Sequence, residues 1–300
     1  MFRSIVKLIL TAIVPIAWSQ PQITAVVNAA TFQPGLPSGG GLATLYCTGP
    51  VTSAAPGVYL PASSSSLPNT LVEIQVAING AYAPILAVVV TKSNAVLYTQ
   101  VNFQVPMERN VSLPNGGGYA GGLTSCNGAS VQPLPAQTTG GFFADANGYA
   151  IAQHASDYSL VTPQNPAHPG ESITAYADDV FPVWPPPTIG IPTPAQPLFQ
   201  QTDGLFASGY LYLQPYPVAK SGGPGMPGPI YPPATLPLQT TFMGMAPGMV
   251  GVQQINFVVP ANQPAGTLPL FFDDGCPPGY VAQNCAAYPA AGPSVLFPVD

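Results

Sequence analysis

His154 and His168 are the only histidines in the 300 residues, and His154 stands where a catalytic set can be written down. His154, Asp157 and a serine, Ser156 or Ser159, supply the residue types of an acyl-transfer triad. In such a triad a base takes the proton of a nucleophile and an acid orients the base. The spacing argues against it. Residues this close along one strand or turn seldom converge, and neither a G-x-S-x-G elbow nor an H-E-x-x-H helix is present. The residues therefore predict no enzyme, with a secreted hydrolase as the third-ranked alternative.

Two acidic pairs, Asp178-Asp179 and Asp273-Asp274, each follow an apolar stretch that reads as a strand. Calcium takes several hard oxygen ligands, and adjacent carboxylates at a loop supply some of them. No D-x-D-x-D-G pattern accompanies either pair, so solvated turn acids are the simpler reading, and Asp178 with Asp179 is the calcium candidate if there is one. Gly116-Gly117-Gly118-Tyr119-Ala120-Gly121 satisfies G-x-G-x-x-G, but Pro114 precedes it and no helix follows to present its N-terminus to a pyrophosphate. No cofactor is predicted. The four cysteines, Cys47, Cys126, Cys276 and Cys285, form no C-x-x-C and have no histidine near in sequence, which favours disulfides over a metal or redox site. Three connectivities are possible. Two cysteines per half favour Cys47–Cys126 and Cys276–Cys285.

Aromatic residues are the remaining candidates. Trp184 lies in Phe181-Pro182-Val183-Trp184-Pro185-Pro186-Pro187, and Tyr210, Tyr212, Tyr216 and Tyr231 follow. Aromatics two apart on a strand share a face. Exposed, such a face is an apolar platform for sugar rings or a partner peptide; buried, the same residues pack a core and plug a junction.

The elements that position these groups come from an internal repeat. Gln100-Val101-Asn102-Phe103-Gln104-Val105-Pro106 recurs as Gln254-Ile255-Asn256-Phe257-Val258-Val259-Pro260, and Gly40-Gly41-Leu42-Ala43-Thr44-Leu45-Tyr46 as Gly170-Glu171-Ser172-Ile173-Thr174-Ala175-Tyr176. Each copy alternates apolar and polar residues and stops at proline, as a half-buried strand does. Over 71–78, Val72, Ile74 and Val76 alternate with Glu73, Gln75 and Ala77, which with Asn79-Gly80 at the end predicts a strand and hairpin. No window after the N-terminal segment has helical periodicity free of Pro and Gly, of which there are 40 and 31. The prediction is an all-β chain of two tandem immunoglobulin-like sandwiches: domain 1 over 20–138, and domain 2 over 139–300 with a Pro/Gly-rich insertion near 216–238.

Residues 1–19 read as a secretory signal, with Arg3 and Lys7 before an apolar run and Ala17-Trp18-Ser19 at the cleavage site. The run is short for a bilayer, and Pro and Gly interrupt every later one, so no transmembrane segment is expected after cleavage. Cleavage leaves 5 − 2 = 3 basic residues, Lys92, Arg109 and Lys220, against 11 acidic ones. Such a chain cannot neutralise a phosphate backbone, which excludes nucleic acid as a partner.

Ile23-Thr24-Ala25-Val26-Val27-Asn28-Ala29-Ala30-Thr31-Phe32 resembles the opening of the uncharacterised, Solibacter-type C-terminal module of exported acidobacterial proteins. Gly148-Tyr149-Ala150-Ile151-Ala152-Gln153, Asn165-Pro166-Ala167 with Pro169-Gly170, Ala246-Pro247-Gly248-Met249-Val250-Gly251 and the strand from Gln254 to Pro260 fit the same pattern in order. The resemblance implies paired immunoglobulin-like or IPT/TIG-like sandwiches and export. It implies no activity and supplies no catalytic residue. Together these readings predict a secreted or cell-surface, non-catalytic interaction module that binds a polysaccharide or an envelope protein; a structural spacer without a ligand is the alternative.

Overall fold

The computed structural model describes residues 20–62, 65–94, 96–107, 122–131, 135–136, 138, 140–201, 210–213, 238–273 and 293–300. Residues 1–19 and the 216–237 part of the insertion lie outside them. Among the described residues the chain is all-β, without an α-helix, and no helix is long and apolar enough to cross a membrane.

The first half runs β1 (Gln22–Asn28), β2 (Leu42–Thr48), β3 (Gly57–Tyr59), β4 (Ala77–Ile78), β5 (Ala81–Tyr82), β6 (Ile85–Ser93), β7 (Val96–Gln104), β8 (Leu123–Ser125) and β9 (Ala129–Val131). The second runs β10 (Gly141–Phe142), β11 (Ala152–His154), β12 (Ser172–Asp178), β13 (Val183–Trp184), β14 (Gln200–Gln201), β15 (Tyr210–Leu213), β16 (Thr240–Met245), β17 (Gln253–Val258), β18 (Gly266–Asp273) and β19 (Val295–Val299). These strands pair with one another antiparallel, and β19 adds parallel bridges from Leu296 to Tyr149 and from Val299 to Ala167. In the first half the sheets are ordered β1-β2-β7-β6-β3 and β5-β4-β8-β9. In the second they are β10-β12-β17-β16-β14-β13, with β11 also on β12, and β15-β18-β19. Each half has its own core. One is built on Leu45, Ile78, Ile85, Val101, Phe103 and Leu123, the other on Ile173, Leu211, Ile255, Phe257, Leu270 and Phe297. Cys47 on β2 is disulfide-bonded to Cys126 after β8, which ties the two sheets of the first half together. Cys276 and Cys285 lie outside the described residues.

The repeat is visible in the register. Tyr46 pairs with Gln100 and Thr44 with Asn102; Tyr176 pairs with Gln254 and Thr174 with Asn256. The third strand is also equivalent: a bulge in β6 falls opposite Phe103 and Asn102, and one in β16 falls opposite Phe257 and Asn256. Period-2 alternation explains why. Val101 and Phe103, like Ile255 and Phe257, turn inward and are fully buried, leaving Gln100 and Asn102, or Gln254 and Asn256, on the outer face.

The 71–78 strand forms only in part. Val72 and Glu73 take left-handed φ values of 43° and 69°, so a tight turn closes Leu71 onto Ile74, and pairing resumes only at β4. Burial keeps its period all the same: Ile74, Val76 and Ile78 are all in the core. The Asn79-Gly80 hairpin forms between β4 and β5, both residues at positive φ as a two-residue turn of that kind requires. After β5, Ala83-Pro84 carries the chain from one sheet to the other, where β6 begins.

Candidate ligand groove between the halves

The geometry of the junction starts from one side chain. Asn28 closes the turn after β1: its Oδ1 accepts hydrogen bonds from the backbone N–H of Ala30 (2.8 Å) and Thr31 (3.0 Å). Its Nδ2 is thereby aimed outward and donates to Asp178 Oδ2 of the second half at 3.0 Å. The N–H of Leu42 donates to the other oxygen, Asp178 Oδ1, at 2.9 Å. Asp179 completes the clasp by accepting from the N–H of Ser38 at 2.7 Å and from the Ser38 hydroxyl. On the other side of the junction, Gln104 Nε2 donates to the Gly40 carbonyl at 2.8 Å, and its Oε1 accepts from the Gly190 N–H at 2.6 Å. Close approach depends on glycine at Gly251, whose φ is +72° and whose added Cβ would stand 2.6 Å from Leu42 Cδ2.

Asp178 is fully buried. Burial, and then the neighbouring Asp179 charge, push its carboxyl well above the usual range, opposed by the hydrogen bonds from Leu42 and Asn28. The calcium candidates thus sit at the junction, where their oxygens accept from protein donors. Among the described residues no three His, Cys, Asp or Glu side chains are grouped to hold a metal.

Beside the clasp the outer faces of the two repeats meet in a groove of about 610 Å³. The first half contributes Phe32, Thr44, Gln100 and Asn102; the second contributes Phe143, Gln153, Leu160, Tyr176 and Met249. Among the described residues no Asp, Glu, Lys, Arg or His lines it. The amides are pre-oriented. Gln100 Nε2 and Thr44 Oγ1 both donate to Asn102 Oδ1, each at 3.0 Å, and the Tyr176 hydroxyl donates to Gln153 Oε1 at 2.8 Å. Asn102 Nδ2 and Gln100 Oε1 have no bonded partner among the described residues. Phe32 stands at the mouth, 58% exposed, with a φ of 55°. A left-handed φ at a bulky residue is a strained conformation, held here by the Asn28 turn, whose carbonyl accepts from the Phe32 N–H at 3.0 Å.

The residues singled out in the sequence scatter. His154 is buried, with Nδ1 2.6 Å from Glu171 Oε1 and Nε2 3.2 Å from the Asn165 carbonyl. Ser159 Oγ donates to Asp157 at 2.8 Å and accepts from Asn165 Nδ2 at 3.1 Å. Both ring nitrogens of His154 are therefore engaged, and the serine is bonded to the acid instead of the base. His168 is exposed; its Nδ1 lies 2.5 Å from Asp300 Oδ1, which raises its pKa above the ordinary imidazole value. Trp184 is 67% exposed on the edge strand β13. Tyr210 and Tyr212 lie in β15, opposite Asp273 and Phe271, but their side chains are outside the description. Tyr216 and Tyr231 are also outside it. Sequence reasoning did not single out Gln100, Asn102, Gln153 and Tyr176 as contacts. The signal was the repeat, whose outward positions carry Gln and Asn twice.

No protein-family model, curated protein or solved structure matches this chain.

Proposed function

We propose that the chain is an exported, non-catalytic contact module of the Solibacter type, acting at the cell surface or outside the cell on a polysaccharide or an envelope protein. The groove carries this reading: Thr44, Gln100 and Asn102 of the first half and Gln153 and Tyr176 of the second turn uncharged amides, hydroxyls and an aromatic ring toward a shared space, and amide groups there keep free hydrogen-bonding capacity. Its volume is that of an ordinary ligand cleft. Exposed Trp184 adds a second aromatic surface on the same half as Tyr176. The clasp favours the alternative, a spacer, because buried polar contacts hold the halves at one angle.

The test is retention of the oxidised chain, residues 20–300, on insoluble polysaccharides and on isolated cell-envelope fractions, with bovine albumin as the reference. Retention above the reference on either supports a contact module. Retention on neither leaves the spacer as the better account.

A further inference from the structure

The groove has a continuation on the first half. A second hollow, of about 440 Å³, lies on the outer face of the β1-β2-β7-β6-β3 sheet, lined by Thr24, Tyr46, Thr48, Thr91, Tyr98 and Gln100 among others. Among the described residues it too has no Asp, Glu, Lys, Arg or His in its lining. Gln100 lines both spaces. The outward row of β7 thus forms one track. Tyr98 is 44% exposed, Gln100 and Asn102 are half-buried, and Gln104 is fully buried at the junction. Three outward positions, Tyr98 to Asn102, span about 14 Å at the rise of a strand. Across β2 the matching row is Thr48, Tyr46 and Thr44, each paired with one of them.

From this we infer that the track is a binding site for an extended neutral oligosaccharide, running from the Tyr46/Tyr98 rings past Gln100 and Asn102 into the groove against Gln153 and Tyr176. This rests on the contact-module reading and names its ligand and place. Charge decides the class. The chain is acidic, with 11 Asp and Glu against 5 Lys and Arg, so it repels anionic glycans, and among the described residues the track offers no cation to bind one. Amides and hydroxyls match the paired donor and acceptor character of sugar hydroxyls, and the tyrosine faces match the apolar faces of the rings. Tyr176, the counterpart of Tyr46 in the second repeat, forms the far wall, so a tyrosine stands at each end of the track.

The experiment measures affinity of the oxidised 20–300 chain for a soluble neutral β-glucan, a neutral mannan and an anionic polyuronate. The variants are Tyr98→Ala, Gln100→Ala and Trp184→Ala, each checked for an unchanged thermal midpoint. Tyr98 and Trp184 are exposed and Gln100 is half-buried on the outer face, so none of the three is a core position, and the thermal midpoint reports any loss of folding. Binding of at least one neutral glycan, weakened about tenfold by Tyr98→Ala and by Gln100→Ala, is the expected result, being the ratio that loss of one ordinary polar contact produces. Neutral binding that both variants retain, or that only Trp184→Ala removes, overturns the track while leaving the contact module standing. Equal binding of polyuronate overturns the neutral ligand class. No glycan binding at all overturns the inference, and retention on envelope fractions then decides whether the contact module survives.

Discussion

Replacing Asp178 with alanine strands two buried donors, Asn28 Nδ2 and the Leu42 N–H, both of which lie within 3.0 Å of its oxygens. An unpartnered buried donor costs about 1–3 kcal/mol. The two together set an expected loss of about 2–6 kcal/mol, a large part of the stability of a domain. Asn28 cannot turn its amide to recover, because its Oδ1 is held by Ala30 and Thr31. The size of the loss should depend on pH. Burial, and then the Asp179 charge, raise the Asp178 carboxyl in the folded protein. A group whose folded pKa is raised contributes stability that is complete below the unfolded value, about 3.9, and is lost as pH rises through the folded one. Guanidinium unfolding of wild type and Asp178→Ala at pH 4 and pH 8 should therefore give a larger difference at pH 4. Carboxylates that do not adjoin Asp178 titrate equally in both proteins and cancel. A difference that stays constant, or grows toward pH 8, would refute the reasoning. It would mean that the two donors hold the group as a carboxylate and that hydrogen bonding outweighs burial.

Three further outcomes are expected. Converting Cys47 and Cys126 together to serine opens a bridge spanning 79 residues, and the chain-entropy relation gives a loss of about 4.5 kcal/mol; a change in urea midpoint equivalent to less than about 1 kcal/mol would contradict it. The Thr99 hydroxyl is buried without a hydrogen-bond partner among the described residues, so Thr99→Val should raise the melting temperature by the equivalent of about 1 kcal/mol, and a decrease would show that the hydroxyl is satisfied in solution. His168 has a raised pKa through Asp300, so wild type should lose a small increment of stability as pH rises from the ordinary imidazole value through the folded one. His168→Gln should lack that step in a thermal scan across pH, and an identical step in the variant would assign it elsewhere.

The strand pairs were legible because alternation and proline stops are local, and the repeat made the assignment twice. The tight turn at Val72-Glu73 was not: its residues alternate like a strand, and only the ladder partners available at that place decide otherwise. The groove was harder still. It depends on contacts 136 to 150 residues apart, between Leu42 or Asn28 and Asp178, and no periodicity reports those. Asp178 nonetheless shares strand parity with Thr174 and Tyr176, as Gln104 does with Gln100 and Asn102. Both outer rows therefore end in a polar residue that the other half covers. An acid read as a solvated turn residue was instead the end of a face being buried. The exposed edge position of Trp184 depends on sheet order, which composition does not encode.

Two strand pairs with the same register create a hazard during folding: β7 meets the hydrogen-bonding requirements of β12 as well as those of β2. Backbone pairing alone cannot tell the right partner from the wrong one. The inward side chains can. Ala43, Leu45 and Cys47 face Phe103, Val101 and Thr99, whereas Ile173, Ala175 and Ala177 face Phe257, Ile255 and Gln253. At the matched central position the two pairs divide the volume differently, Leu45 with Val101 and Ala175 with Ile255. A crossed sheet would set Ala175 beside Val101 and leave a void, and Leu45 beside Ile255 and overfill the layer. Correct assembly of this chain is thus selected by volume in the interior, while the outer faces are free to remain alike.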